Sequence, residues 1–199
     1  MNVLVVYAHP DPNSFGAALR DAAVRGLRAG GHDVTVLDLE AENYEPCLTK
    51  ADYEAYDEAG MPTGDGHHDP VVQRHIDAVR AADVLAFIYP TFWSGLPAML
   101  KGWIDRTMLP GVSFSVKPDG GVRGELGHVG RVIGITTYGS PRAYRWIVGD
   151  GGRRMLRQLR RSAGLRCRFQ WLALDTLDGR SEAERRSFLA DVESTLAEL

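Results

Sequence analysis

Cysteine is scarce in this 199-residue chain, which carries only Cys47 and Cys167. They lie far apart and form no Cys-x-x-Cys pair, which argues against a structural disulfide or a zinc site and fits a reducing compartment. Long apolar runs are missing too, and no stretch reaches the roughly 20 residues of a membrane span, so no membrane insertion is expected. Asn2 leads directly into a strand-like run, with neither the basic region nor the apolar core of a secretory leader, so the expected location is cytoplasmic. Positive charge is not in excess. Lys and Arg number 23 against 26 acidic residues, for a formal net charge of −3, which argues against nucleic acid as the main partner. Repeats, low-complexity segments and linkers are absent, so a single domain over residues 1–199 is expected. With 44% hydrophobic and 25% charged residues, the composition is that of a globular chain able to bury a core without staples. Finally, no Gly-x-Gly-x-x-Gly follows the first strand-like run, which argues against a dinucleotide-binding fold of that type.

What is present is alternation. Strand-like runs fall at 3–7, 33–39, 84–89, 129–137 and 167–174, and the first and third are almost continuously apolar. Such runs mark strands covered on both faces, as in a parallel sheet. Between and after them, apolar residues recur at helical spacing: Phe15, Leu19 and Leu27; Val72, Ile76 and Val79; Leu96, Leu100, Trp103 and Ile104; Leu156, Leu159 and Ala163; Leu189, Val192, Leu196 and Leu199. The alternation predicts an α/β fold, a doubly wound five-stranded parallel sheet of order 2-1-3-4-5 with helices on both faces. In such a sheet the ligand crevice lies beyond the carboxyl ends of the strands, beside strand 1 where the winding reverses. Strands 1, 3 and 4 should therefore feed the site. Three irregular stretches, 40–69, 110–127 and 137–152, are read as loops.

Each of the three strand ends carries a suggestive loop. The first, His9-Pro10-Asp11-Pro12-Asn13-Ser14-Phe15, places a capping residue, Asn13 or Ser14, ahead of a helix whose free N–H groups suit an anion such as phosphate. The second, Tyr89-Pro90-Thr91-Phe92-Trp93-Ser94-Gly95, carries an adjacent aromatic pair able to wall a flat heteroaromatic ring, although aromatics are more often packing. The third, Thr136-Thr137-Tyr138-Gly139-Ser140-Pro141, offers hydroxyls and a glycine-permitted turn to polar ring atoms, and Tyr144 beyond it can donate a phenol proton to developing negative charge. Ordinary turn chemistry accounts for each loop alone. Their coincidence at three strand ends predicted to share one ligand favours binding.

The stretch Pro97-Ala98-Met99-Leu100-Lys101-Gly102-Trp103-Ile104-Asp105-Arg106 resembles the P-A-x-L-K-G-W-x-[DE]-R helix of the flavin-dependent NAD(P)H:quinone oxidoreductases, the DT-diaphorase-like family with a flavodoxin-like fold. His9, Asn13, Ser14 and Phe15 resemble that family's phosphate loop, Pro90-Thr91-Phe92-Trp93 its isoalloxazine loop, and Thr136-Thr137-x-Gly139 its fourth-strand loop. The resemblance implies a bound flavin, FAD more often than FMN, with NAD(P)H as co-substrate and a quinone-like acceptor. It also implies two-electron ping-pong transfer and a homodimer with the site at the subunit interface. It assigns His9, Asn13, Ser14 and Phe15 to phosphate and ribitol, Pro90, Thr91, Phe92 and Trp93 to the ring, and Thr136, Thr137, Gly139 and Tyr144 to its polar edge. Tyr144 also matches a tyrosine that stabilises reduced-flavin charge. One departure stands out: Asp150 occupies the position where better-studied members place a histidine. Some relatives are ancillary subunits of membrane potassium-efflux systems, and flavodoxin itself is a one-electron carrier, so a regulatory role and a carrier role are the alternatives.

Other features have plainer readings. Lys101 and Asp105 form an i, i+4 pair which, with Arg106, belongs to a solvated or dimer-facing surface, and Trp103 is packing. His67-His68-Asp69 lacks a third ligand at useful spacing, so no metal is expected. Arg153, Arg154, Arg157, Arg160 and Arg161 form a solvated helix face, with the 2′-phosphate of NADPH, an acidic partner or a membrane surface as alternatives. Tyr44, Tyr53 and Tyr56 either line the acceptor pocket or pack a long loop.

Overall fold

The computed structural model describes residues 1–53 and 67–199. Tyr56, with the whole stretch 54–66, lies outside them. The chain runs β1 (Asn2–Tyr7), α1 (Phe15–Ala29), β2 (Asp33–Asp38), α2 (Pro70–Ala81), β3 (Val84–Pro90), α3 (Ala98–Thr107), β4 (Phe114–Val116), β5 (Val122–Gly124), β6 (Arg131–Thr137), α4 (Arg142–Val148), α5 (Gly151–Ser162), β7 (Arg168–Leu174) and α6 (Glu182–Ala197). Five strands form one sheet in the order β2-β1-β3-β6-β7, every pairing parallel.

The expected 2-1-3-4-5 numbering fails because the 110–127 stretch is more than a loop. It holds β4 and β5, an antiparallel pair outside the main sheet. Two strands of three residues are too short to show a period-2 pattern. The 137–152 stretch likewise contains a seven-residue helix, α4, with no buried face to give it a helical apolar repeat.

The three central strands are buried nearly end to end, and the pleat divides their side chains between two layers. Leu4, Val6, Leu85, Phe87 and Val132 pack with Val72, Ile76, Leu100, Trp103 and Leu156 of α2, α3 and α5. Val3, Val5, Val84, Ala86, Ile133 and Ile135 pack with Leu19, Leu27, Val192 and Leu196 of α1 and α6. The second layer is tight: a Cβ on Gly26 of α1 would lie 2.2 Å from the Glu193 carbonyl oxygen of α6, so only glycine allows those helices to approach so closely.

Beneath the first layer lies a polar network that the sequence did not reveal. Arg106, expected on a surface, is 2% exposed. Its guanidinium donates to Asp52 (3.0 Å), to Asp69 (2.9 Å) and to the Glu45 carbonyl (2.7 Å), and it lies over the ring of Tyr44. Nearby, the Trp103 indole donates to His75 Nδ1 (3.1 Å), whose Nε2 meets Glu42 (3.0 Å). Tyr44 is buried and stacks on His75 at 5.2 Å, so it packs the long connection. Tyr53 is exposed. Lys101 and Asp105 form the expected exposed pair. Arg106 sits one residue further along the same helix, yet its partners lie 54 and 37 residues away, beyond the reach of helical spacing.

Burial alone would raise the Asp52 and Asp69 carboxyls. Backbone N–H donors and Arg106 outweigh it and hold both below the usual aspartate range. Groups depressed in the folded state stabilise it fully above their unfolded pKa, about 3.9, and that contribution is lost as pH falls through their folded values. Wild-type protein should therefore lose urea stability on acidification below about pH 4. Arg106→Met strands a buried carboxylate and should cost about 3 kcal/mol near neutrality. Its urea midpoint should respond less to acid than that of the wild type, because protonating Asp52 then relieves a penalty.

Candidate functional site

Parallel pairing of β1 with β3, and of β3 with β6, sets three strand ends side by side. Tyr7 pairs with Ile88 and Pro90 with Thr137, and the ladder continues as Ala8 N–H donates to the Ile88 carbonyl (3.1 Å) and Thr91 N–H to the Thr137 carbonyl (2.9 Å). β2 lies on the other side of β1, so the crevice where the winding reverses opens between the β1 and β3 ends.

At the β1 end, Asp11 turns the two-proline segment. Its N–H donates to His9 Nδ1 (3.0 Å), and its carboxylate accepts from Asn13 N–H (2.9 Å). Ser14 caps α1, its hydroxyl accepting from Ala17 N–H (3.2 Å). Asn13, the other capping candidate, is exposed. The first turn of α1 holds no acidic residue, and the N–H groups of Phe15 and Gly16 have no acceptor among the described residues. A Cβ on Gly16 would lie 3.0 Å from the His9 ring, so the helix start and His9 pack in contact. The Tyr7 hydroxyl at the end of β1 is buried within reach of the Ser14 side chain, and no other hydrogen-bond partner meets it among the described residues. Burial, the largest influence, pushes its pKa up, which keeps it a donor. Unmatched donors around an uncharged helix start fit a phosphate. Phe15 is half-buried against the α1/α6 layer.

The β3 end is a strained turn. Phe92 and Gly95 exchange two backbone hydrogen bonds (3.3 and 2.9 Å) across Trp93 and Ser94, which have φ of 48° and 57°. Two successive left-handed non-glycine residues cost about 1–2 kcal/mol each. The turn leaves Trp93 fully exposed and Phe92 half exposed, so neither is core. Thr91 and Thr136 join their hydroxyls at 2.9 Å, linking this turn to the β6 end.

At the β6 end, Thr136 and Thr137 are buried, Gly139 is exposed, and Tyr144 on α4 is 49% exposed. Tyr138, which sequence reasoning passed over, is buried. Its hydroxyl donates to Asp150 (2.6 Å), and burial followed by that carboxylate raises its pKa. Asp150 also caps α5 through Arg153 N–H (2.8 Å) and lies 3.6 Å from Arg145. The next residue, Gly151, donates its N–H to the Ser94 carbonyl (2.7 Å), so the Trp93 turn rests on the start of α5. Such links between distant segments leave no local signature.

The structure supplies the third group that the His67-His68 pair lacks in sequence. Asp52, His67 and His68 bring ligand-type atoms within 4.8 Å of one another. Yet His67 Nδ1 accepts the Asp69 N–H (3.0 Å), which puts the ring proton on Nε2, 3.1 Å from the Asp52 carboxylate. Burial, followed by the charge of His68, pushes the His67 pKa down. His67 thus turns a donor, not a lone pair, toward Asp52, and the other Asp52 oxygen is held by Arg106. Asp52, His67 and Arg106 thus form a hydrogen-bond network, with His68 Nε2 3.2 Å from the same Asp52 oxygen as His67.

A family profile described as flavodoxin-like fold matches residues 1–198. The chain is 32% identical over 211 aligned positions to ribosyldihydronicotinamide dehydrogenase (quinone) of Mus musculus, covering 94% of this chain and 87% of that protein. It is 34% identical over 155 positions to the Pongo abelii protein of the same name, where the match spans 71% of this chain and only 65% of the relative's length. Among solved structures, Smu.1420 from Streptococcus mutans UA159 superposes with a TM-score of 0.85 over the whole of both chains at 29% identity.

If the Trp93-Ser94 turn is strained, glycine at its second position should relieve it. Ser94→Gly should raise stability by about 0.5–1 kcal/mol, the left-handed penalty removed less the entropy glycine adds to the unfolded chain. The measurement is the urea midpoint, and an unchanged or lower midpoint would show a relaxed turn.

Proposed function

Because this chain belongs to the flavodoxin-like family that includes the NAD(P)H:quinone oxidoreductases, we propose that it is a flavin-dependent oxidoreductase that passes two electrons from NAD(P)H to a quinone or related electrophile. The observation that carries this reading is the fully exposed Trp93 on its strained turn, one strand away from a helix start with unmatched donors. The bound flavin (FAD in our reading, with FMN the other choice) would supply the two-electron hydride chemistry, and NAD(P)H and the acceptor would use it in turn.

In this reading the protein positions and polarises. His9, Asn13, Ser14 and Phe15, with the start of α1, hold the phosphate and ribitol, and the Tyr7 hydroxyl donates from the floor of the same loop. Pro90, Thr91, Phe92 and Trp93 wall the ring. Thr136, Thr137 and Gly139 present hydroxyl and backbone groups to its polar edge, where Tyr144 donates a hydrogen bond to developing negative charge. Asp150 does not oppose that charge with a free carboxylate, since it is engaged by Tyr138, Arg145 and the α5 start. Its role is to fix the β6 loop, and the electrostatic part falls to Tyr144 and backbone amides.

Beside Tyr144, α4 exposes Trp146 and Ile147, each 83% accessible, together with Val148. In our reading a second copy of the chain covers this apolar face, closing the site at the seam of a homodimer. Among the described residues no helix is long and apolar enough to cross a membrane. We take the chain as one domain working in the cytoplasm.

The test is anaerobic titration of purified protein. Flavin absorbance should bleach on adding NADH or NADPH and return on adding a quinone; no bleaching with either nucleotide would reject the reading. Trp93→Ala should weaken flavin binding roughly tenfold, the loss of one stacked ring at about 1.4 kcal/mol, and mass spectrometry of the released ligand decides FAD against FMN.

A further inference from the structure

The charges of this chain are segregated. Between Arg142 and Arg168 stand nine arginines and one carboxylate, Asp150, in a protein whose formal net charge is −3. Five of them lie on α5 and Arg168 opens the adjoining edge strand β7, where three neighbouring grooves all share Arg153. Arg153, Arg154, Arg157, Arg161, Arg166 and Arg168 enter no salt bridge with the described residues. Arg153 and Arg157 lie over the rings of Trp171 and Phe169. The Arg153 Nε and Trp171 Nε1 donors are buried without acceptors among the described residues. Burial and the neighbouring charge of Arg157 both disfavour the Arg153 cation. Like charges held together with no salt bridge to the described residues cost folding energy and call for an external anion.

At one end of this surface an apolar tip protrudes. Leu165 is 91% exposed and follows Gly164, whose φ of +90° forms the turn. The turn is fixed, because the Arg160 guanidinium donates to the Leu165 carbonyl (3.0 Å) and to the Cys167 carbonyl (2.8 Å). Arg161, Arg166 and Arg168 surround it in sequence. A leucine held among cations gains little from a wholly polar phosphodiester backbone or polyanionic peptide. It suits the boundary between headgroups and acyl chains, with guanidiniums engaging lipid phosphates bidentately.

We propose that the α5/β7 face docks this protein peripherally on an anionic bilayer, the arginines contacting acidic headgroups and Leu165 entering the interface. This inference is independent of the flavin reading, and its test involves no turnover. Full-length protein is mixed with vesicles of phosphatidylcholine alone, or of phosphatidylcholine with phosphatidylglycerol, and the bound fraction is measured by flotation. Binding is expected only to the mixed vesicles and should be lost at high salt. The double variant Arg157→Glu, Arg161→Glu should bind on the order of tenfold more weakly or worse, and Leu165→Ser several-fold more weakly, with circular dichroism unchanged. Should the double variant misfold, the salt titration of wild type and Leu165→Ser still decide. Equal binding to neutral vesicles, unchanged affinity in the folded variants, or tighter binding to a single-stranded oligonucleotide or a polyglutamate chain than to the anionic vesicles would overturn the proposal.

Discussion

Burial of β1, β3 and β6 on both faces is the constraint from which the rest follows. A strand covered above and below can carry almost no polar side chain along its length, so polar and conformationally unusual residues collect where the strands stop. Because the three strands are parallel and adjacent, they stop on the same edge. The thread from Tyr7 to Ser14, the turn from Pro90 to Gly95 and the run from Thr136 to Gly139 become neighbours through ladder geometry alone. Direct bonds between the Thr91 and Thr136 hydroxyls, and between Gly151 and Ser94, then set their spacing.

The opposite use of polarity appears in the α2/α3 layer. Here charged groups lie inside, around Arg106, and they anchor chain instead of binding a ligand. One guanidinium reaches three segments, at Glu45, Asp52 and Asp69, which brackets the long connection leaving β2. A buried pair of this kind contributes little net stability over an apolar substitute but penalises every arrangement that separates its members. The Trp103–His75–Glu42 chain repeats the device a short distance away.

Much of this was legible in the amino-acid order, and the boundary of legibility is physical. Alternation of apolar runs with helical spacing located the five sheet strands to within two residues, because burial imposes a period that survives in one dimension. The loops ending in Ser14, Gly95 and Gly139 stood out because turn chemistry is local. What escaped was either too short to show a period, like β4, β5 and α4, or depended on partners far away in the chain. Arg106 and Lys101 occupy the same helix and read alike, yet one is buried and one exposed. Asp52 gave no sign that it would meet His67. Tyr138 looked like loop filler, although its phenol is fastened to Asp150.

The segregation of charge matters before any contact is made. A body with a cationic flank and a predominantly anionic remainder has a large electric moment, so an external field turns it before it arrives. Despite its negative net charge, this chain should be retained at low ionic strength by cation- and anion-exchange resins alike, presenting opposite sides to each.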